Sequence, residues 1–359
     1  MSEVQSGLEG VIAFATQIAE PDRDGGALRY RGVDIEELVG IVPFEQVFGL
    51  LVDGRFEPGL PIGEHVELPL RSGDVRVDLQ AGLAALAAQW RLGELIDIDE
   101  PQARDDVARL SAAALSYVAQ SARGADLPEV PDATLDRAGS AAERFLLGWR
   151  GEADPAHARA IDAYWVSAAE HGMNASTFTA RVVASTGADC AAALSAAVGA
   201  LSGPLHGGAP SRVLKMLDEV AAGGDARRWV LDALDRGDRL MGFGHRVYRA
   251  EDPRARVLRR TARELGSPRV EVAEALEQAA LEELRARHPE RVLATNVEFW
   301  SAVVLDFAGV PSALFTPMFA CARTAGWSAH ILEQKRESRL IRPSAKYVGE
   351  GTRSVETVR

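Results

Sequence analysis

Apolar residues spaced three and four apart recur through most of this chain, and Gly, Pro or Asp closes each run. Such periodicity gives each segment one buried face and predicts a helical protein with little sheet. Helices are expected over 44–53, 78–93, 102–121, 134–148, 154–170, 174–187, 189–202, 210–222, 225–236, 252–265, 269–287, 297–308 and 315–332. Asp225, Asp252 with Pro253 behind it, and Asn296 are residues of the kind that satisfy the free N–H groups of a first turn. Asp34, with Glu37 three residues on, makes a capping-box pattern. A minor β element is expected over 10–31, where 11–18 and 27–30 flank the turn signal Asp24-Gly25-Gly26. The stretch 58–76 reads as a loop and 339–359 as an extended arm. The fold class is therefore mainly α and multi-helical, with a small N-terminal β element.

With 359 residues the chain is long enough for two domains, or for one large domain with a lobe. Its formal charge of -12 argues against a nucleic-acid partner, because nothing offsets phosphate repulsion across a broad face. An anionic small substrate remains compatible, since a buried arginine cluster acts locally. Of the 40 basic residues only Lys215, Lys335 and Lys346 are lysine, so arginine is this chain's ordinary surface cation. An arginine therefore counts as functional only with motif support. Cys190 and Cys321 stand alone in Ala-rich helical patterns and read as buried small hydrophobes. No paired Cys/His spacing suggests a metal. No uncharged apolar run approaches the ~18 residues of a membrane span, and residues 1–10 lack a secretory pattern. A cytoplasmic protein without a membrane partner is expected.

Four stretches pair an ionisable residue with rigid neighbours. In Ser202-Gly203-Pro204-Leu205-His206-Gly207-Gly208-Ala209, His206 sits in a turn just before a helical pattern. The positive end of a helix disfavours imidazolium, and a neutral histidine there can donate to a forming enolate; read alone, it is equally a loop histidine among turn glycines. In 240–254, His245 follows the turn Gly242-Phe243-Gly244, and the loop ends at Asp252-Pro253-Arg254. A lone glycine pair makes no dinucleotide site, and no longer phosphate-binding glycine pattern occurs. Asn296 as a cap puts Glu298 in a first helical turn, where its ionised form is favoured, as a base requires. The alternative is an ordinary first-turn carboxylate. Arg323 lies in an otherwise apolar helical run, with Arg342-Pro343 beyond it, and burying such an arginine is costly unless it meets an anion.

Taken together, these stretches resemble the citrate synthase family. The matching pieces are Tyr30 to Leu38, His171 with Asn174-Ala175-Ser176-Thr177-Phe178, the His206 turn, Gly242 to Arg254, Asn296-Val297-Glu298, Arg323 to His330, and Arg342-Pro343 near Tyr347 and Gly349. They follow the family's order over nearly the whole chain. The resemblance implies a two-domain helical homodimer: 1–206 as a large domain, 207–309 as a small mobile one, and 310–359 returning to the large domain. It implies condensation of acetyl-CoA with oxaloacetate and hydrolysis of the citryl thioester. The acyltransferase has no tightly bound cofactor, and acetyl-CoA is its co-substrate. By motif position, His206 faces the enolate, His245 the ketone, and Glu298 removes the methyl proton. His171, Arg254, Arg323 and Arg342 hold oxaloacetate, Arg342 reaching the partner subunit's site. Met241, Gly242, Phe243, Gly244, Arg249 and Asn296 contact CoA.

This chain departs from the family's pattern at the base. The family has aspartate where Glu298 stands, and smaller residues where Trp300 and Ala302 stand. Glutamate carries the same group with a similar intrinsic pKa, but it is one methylene longer, and a shift of about 1 Å can cost on the order of 100-fold in rate. Three readings follow: a citrate synthase with a glutamate base, a 2-methylcitrate synthase using propionyl-CoA, or a ligand-binding paralogue with little turnover.

Overall fold

Cap residues and turn glycines set where the elements begin and end. The computed structural model describes residues 4, 6–8, 10–22, 24, 26–62, 65–206, 210–244, 251–290 and 293–358. Near the N-terminus β1 (Ala19–Asp22), β2 (Ala27–Tyr30) and β3 (Val33–Asp34) form an antiparallel sheet in that order. Asp22 pairs with Ala27 and Ala19 with Tyr30. The expected strand at 11–18 is not formed. The short connection after Asp22 pairs the residues immediately flanking it, and the apolar run before them is left outside the sheet, with Ile12 91% exposed.

Helices then follow: α1 (Ile35–Leu38), α2 (Phe44–Asp53), α3 (Val75–Gln89), α4 (Glu100–Arg123), α5 (Asp132–Leu135), α6 (Ala141–Arg150), α7 (Pro155–Ala168), α8 (Ala175–Ser185) and α9 (Cys190–Leu201). Beyond the His206 turn come α10 (Pro210–Gly223), α11 (Ala226–Asp235), α12 (Pro253–Glu264), α13 (Val270–Arg287), α14 (Val297–Phe307), α15 (Phe315–Glu337) and the short α16 (Val355–Val358). Three expectations need correction. The helix expected over 134–148 is two, because Ser140 accepts from Glu143 N–H as an N-cap, and the Glu143 carboxylate accepts from Gly139 N–H just before that cap, so a new helix starts there. The helix expected from 78 starts at Val75, where Asp74 accepts from Val77 N–H. The last long helix runs to Glu337, past the end of its apolar period, with Lys335 and Arg336 suited to a helix C-terminus.

α15 is the axis of the larger helical group. It packs against α2, α4, α7, α8 and α9 and is buried around its circumference from Met318 to Leu332 apart from Phe319. Trp165, Phe44 and Phe145 form one aromatic cluster beside it, with ring centroids 5.4 Å apart in both pairs. A second group joins α10, α11, α12, α13 and α14, and α7 touches both α12 and α14. Among the described residues no helix is long and apolar enough to cross a membrane.

Candidate active site

His206 lies between α9 and α10, and its backbone N–H donates to Gly203 O at 2.9 Å. The Ser176 backbone N–H points at His206 Nε2 over 3.4 Å, and Ser176 Oγ is 2.9 Å from the same nitrogen. A backbone N–H can only donate, so Nε2 accepts and the ring proton belongs on Nδ1. Ser176 is held in turn by Trp327, whose Nε1–H donates to Ser176 Oγ at 3.2 Å. The imidazole is pushed down to about 4, chiefly by burial and then by the charge of Arg323. The neutral ring expected from the sequence is there, but burial, rather than a helix end, is its main cause.

Asp252 and Asn296 organise the starts of α12 and α14. Asp252 Oδ1 caps α12 by accepting from Arg254 N–H, and the two carboxylate oxygens also take Arg254 Nε–H at 3.0 Å and Nη2–H at 2.8 Å. Both side chains are buried. Asp252 Oδ2 further accepts from Val297 N–H at 3.0 Å, so one carboxylate ties the starts of α12 and α14 together. Asn296 is the expected cap of α14, its Oδ1 accepting from Glu298 N–H at 3.0 Å. Its Nδ2–H donates to Gly244 O at 2.9 Å, and its backbone N–H donates to Gly242 O at 2.9 Å. Gly242 has φ +86, and a Cβ there would lie 2.8 Å from that of Phe299, so only glycine lets this turn approach α14. Half-buried Glu298 is raised above the ordinary carboxylate range by burial, opposed by Arg254 and Arg239 and reinforced by Asp252. The ionised form expected from its place in the first helical turn is instead disfavoured, because burial outweighs the helix end.

Arg323 enters from α15. Gly326 N–H donates to Ala169 O at 3.2 Å, and a Cβ on Gly326 would lie 2.6 Å from that oxygen. This close approach brings Arg323 Nε–H to Ala168 O at 3.0 Å, three residues before buried His171 in the chain. The guanidinium stacks on Phe319 at 4.7 Å, and the Phe319 ring stands edge-on to His206 with centroids 6.5 Å apart. Burial lowers the Arg323 pKa, Glu170 opposes this, and the like charge of Arg254 adds to it. Two buried guanidinium groups that repel one another favour an anion between them.

The charge of Arg323 bears on His206, and that of Arg254 on Arg323 and on Glu298, so these four form one electrostatic group. Tyr30 and Tyr164 also belong to it. The charges of both Arg254 and Arg323 bear on each tyrosine, and that of Glu298 bears on Tyr164. Met241, Gly242, Phe243, Gly244 and Asn296 are brought together by the turn described above, with Phe243 bridged to Thr295. Arg342 is exposed on the C-terminal tail and is not among the charges acting on this group. His245 and Arg249 lie outside the described residues. Sequence reasoning assigned nothing to Tyr164, Glu170 or Phe319. Phe319 had a usable signal, standing one helical turn before Arg323; the other two had none. A separate cleft between α4 and α6, lined by Leu60, Leu115, Gln120, Arg123 and Phe145, contains none of these residues.

Residues 7–344 match the family model described as citrate synthase, C-terminal domain. The chain is 67% identical to the "putative citrate synthase 2" of Mycobacterium tuberculosis, covering 98% of this chain and 95% of the relative. It is 36% identical to the citrate synthase of Haloferax volcanii, covering 97% and 96%. Its fold superposes on a ternary complex of Thermoplasma acidophilum citrate synthase with carboxymethyl coenzyme A and oxaloacetate, with TM-score 0.83, 28% identity and coverage of 99% and 98%. The chain belongs to the citrate synthase family.

Proposed function

We propose that this enzyme condenses acetyl-CoA with oxaloacetate and hydrolyses the resulting citryl thioester, with Glu298 as the base. The observation that carries the reading is the company Glu298 keeps: a carboxyl raised by burial, in one group with a neutral histidine and two buried arginines. A base needs a pKa brought toward the working pH, and burial moves Glu298 that way. Glu298 takes a methyl proton from the acetyl thioester, and the electron pair moves onto the thioester oxygen. His206 donates its Nδ1–H to that oxygen without carrying a charge of its own. The enol carbon attacks the ketone of oxaloacetate, whose oxygen takes a proton from His245. Water then hydrolyses the thioester and releases CoA as a free thiol.

In this reading Arg254, Arg323 and His171 hold the oxaloacetate carboxylates, and Arg342 does so in the site of the partner subunit of a homodimer. Met241 to Gly244, Arg249 and Asn296 contact CoA. Residues 207–309 form the mobile small domain, which excludes water from an enolate that is otherwise reprotonated. A cytoplasmic enzyme of central carbon metabolism fits this chemistry. The assay is thiol release from acetyl-CoA or propionyl-CoA in the presence of oxaloacetate. The expected result is a higher kcat/KM for acetyl-CoA. A higher value for propionyl-CoA identifies a 2-methylcitrate synthase, and no release with either, alongside calorimetric binding of oxaloacetate, identifies a ligand-binding paralogue.

A further inference from the structure

The proton-abstracting residue is one methylene longer than the family's, and the helix that carries it has an anchor on its far side. Trp300 follows Glu298 by two positions, about 200° around the helix, and so on nearly the opposite face. Its side chain is fully buried, and its Nε1–H donates to Glu277 Oε1 of α13 at 3.0 Å. Glu277 is itself buried. Its Oε2 accepts from Arg259 Nη1–H of α12 at 3.2 Å, and Arg259 Nη2–H is used by Glu251 at 3.1 Å. The Glu277 carboxylate thus joins α12, α13 and α14, with both oxygens occupied. The ends of α14 are held separately, by Asp252 on Val297 N–H and by Arg150, whose Nη2–H groups donate to Ala308 O and Gly309 O at 2.9 and 2.8 Å. Backbone contacts at the ends fix where a helix lies, whereas a side-chain bond on one face, here from the end of the first turn, fixes how it is turned.

We propose that Trp300 and Glu277 are positioning residues that set the rotation of α14, and with it the placement of the Glu298 carboxylate. A longer side chain carries its carboxylate farther from the helix axis, so a given rotation displaces it more. The bulky indole at 300 and the glutamate at 298 are two halves of one arrangement. The argument rests on Glu298 being the base.

The test is steady-state thiol release with acetyl-CoA and oxaloacetate, for the parent, Trp300→Phe, Glu277→Ala, Glu277→Gln and Glu298→Gln. Trp300→Phe keeps an aromatic ring but removes the N–H together with the second ring of a fully buried indole, whereas Glu277→Ala leaves the indole whole and removes only its partner; Glu277→Gln keeps an acceptor for the indole. Trp300→Phe and Glu277→Ala are each expected to lower kcat about 10-fold, since sub-ångström misplacement of a base is felt in the transition state. Their KM for oxaloacetate stays within about 2-fold, because the anion-holding arginines are untouched. A double variant combining Trp300→Phe with Glu277→Ala loses no more than either single one, and Glu277→Gln recovers most of the Glu277→Ala loss. A purely structural role shows instead as a lower unfolding midpoint with kcat retained, and that result overturns the proposal. If Trp300→Phe does not fold, the comparison of Glu277→Ala with Glu277→Gln decides: equal kcat in the two contradicts the anchor. An active Glu298→Gln removes the base assignment itself, whereas an inactive one beside a fully active Trp300→Phe removes only the anchor.

Discussion

Burial holds both His206 and Glu298 toward their uncharged forms, and it therefore moves their pKa values in opposite directions. The consequences for stability have opposite signs. His206 titrates at about 4 in the fold and near 6.5 unfolded, so between those values the unfolded chain binds more protons. Its contribution is complete above about 6.5 and is lost as pH falls toward 4. Glu298 is raised, so the folded protein binds more protons just above the unfolded value near 4.3, and its contribution falls as pH rises through that window. Urea unfolding across pH 4.5–7 separates the two. As pH is lowered, stability of the parent is expected to drop more steeply than that of His206→Gln, and equal slopes contradict a depressed His206. Catalytically, a histidine titrating at about 4 stays neutral through the physiological range, as the proposed donor role requires.

At the scale of elements, α14 is the part on which several functions converge. Asn296 caps it, links it to the glycine turn through Gly244 O, and sets the backbone of Glu298. Asn296→Ala removes both side-chain bonds. It should destabilise the protein by about 1–2 kcal/mol, the range for a lost N-cap, and lower kcat as well, read from urea midpoints and thiol release on the same sample. An unchanged kcat would confine Asn296 to a structural role. This joint was legible in the sequence because a cap acts within three residues. So was Asp252 before Pro253, and both start their helices as expected. What Asp252 does beyond its own helix was not legible, since its second oxygen reaches Val297, 45 positions away. The strand misplaced to 11–18 fails for a related reason: apolar alternation marks a strand-like stretch, but the turn decides which residues pair.

For the whole molecule, the site draws on segments that the chain brings together from its full length. Arg323 reaches Ala168 across 155 positions, and Tyr30 reaches Glu170 across 140. Local patterns singled out the candidate residues, several by a rigid glycine or proline neighbour and Glu298 by the cap two residues before it. They gave no sign of Glu170 or Tyr164, whose surroundings are set by how α15 crosses the α7–α8 connection. Assembly extends the same logic. If Arg342 serves the partner's site, mixing inactive Arg342→Ala with inactive Glu298→Gln should restore activity. A mixed dimer then pairs an intact base with an intact arginine in one complete site. Subunit exchange followed by thiol release measures this, and no recovery from verified mixed dimers places Arg342 in its own chain's site or outside both.

The central claim is that a glutamate does the proton abstraction that starts the condensation, and the most direct measurement is thiol release by Glu298→Gln beside the parent. With acetyl-CoA and saturating oxaloacetate, the parent should release thiol and the variant should be slower on the order of 10³-fold. Oxaloacetate affinity, measured by calorimetry, should be unchanged. A variant that keeps most of the parental rate contradicts the account, whatever its affinity for oxaloacetate.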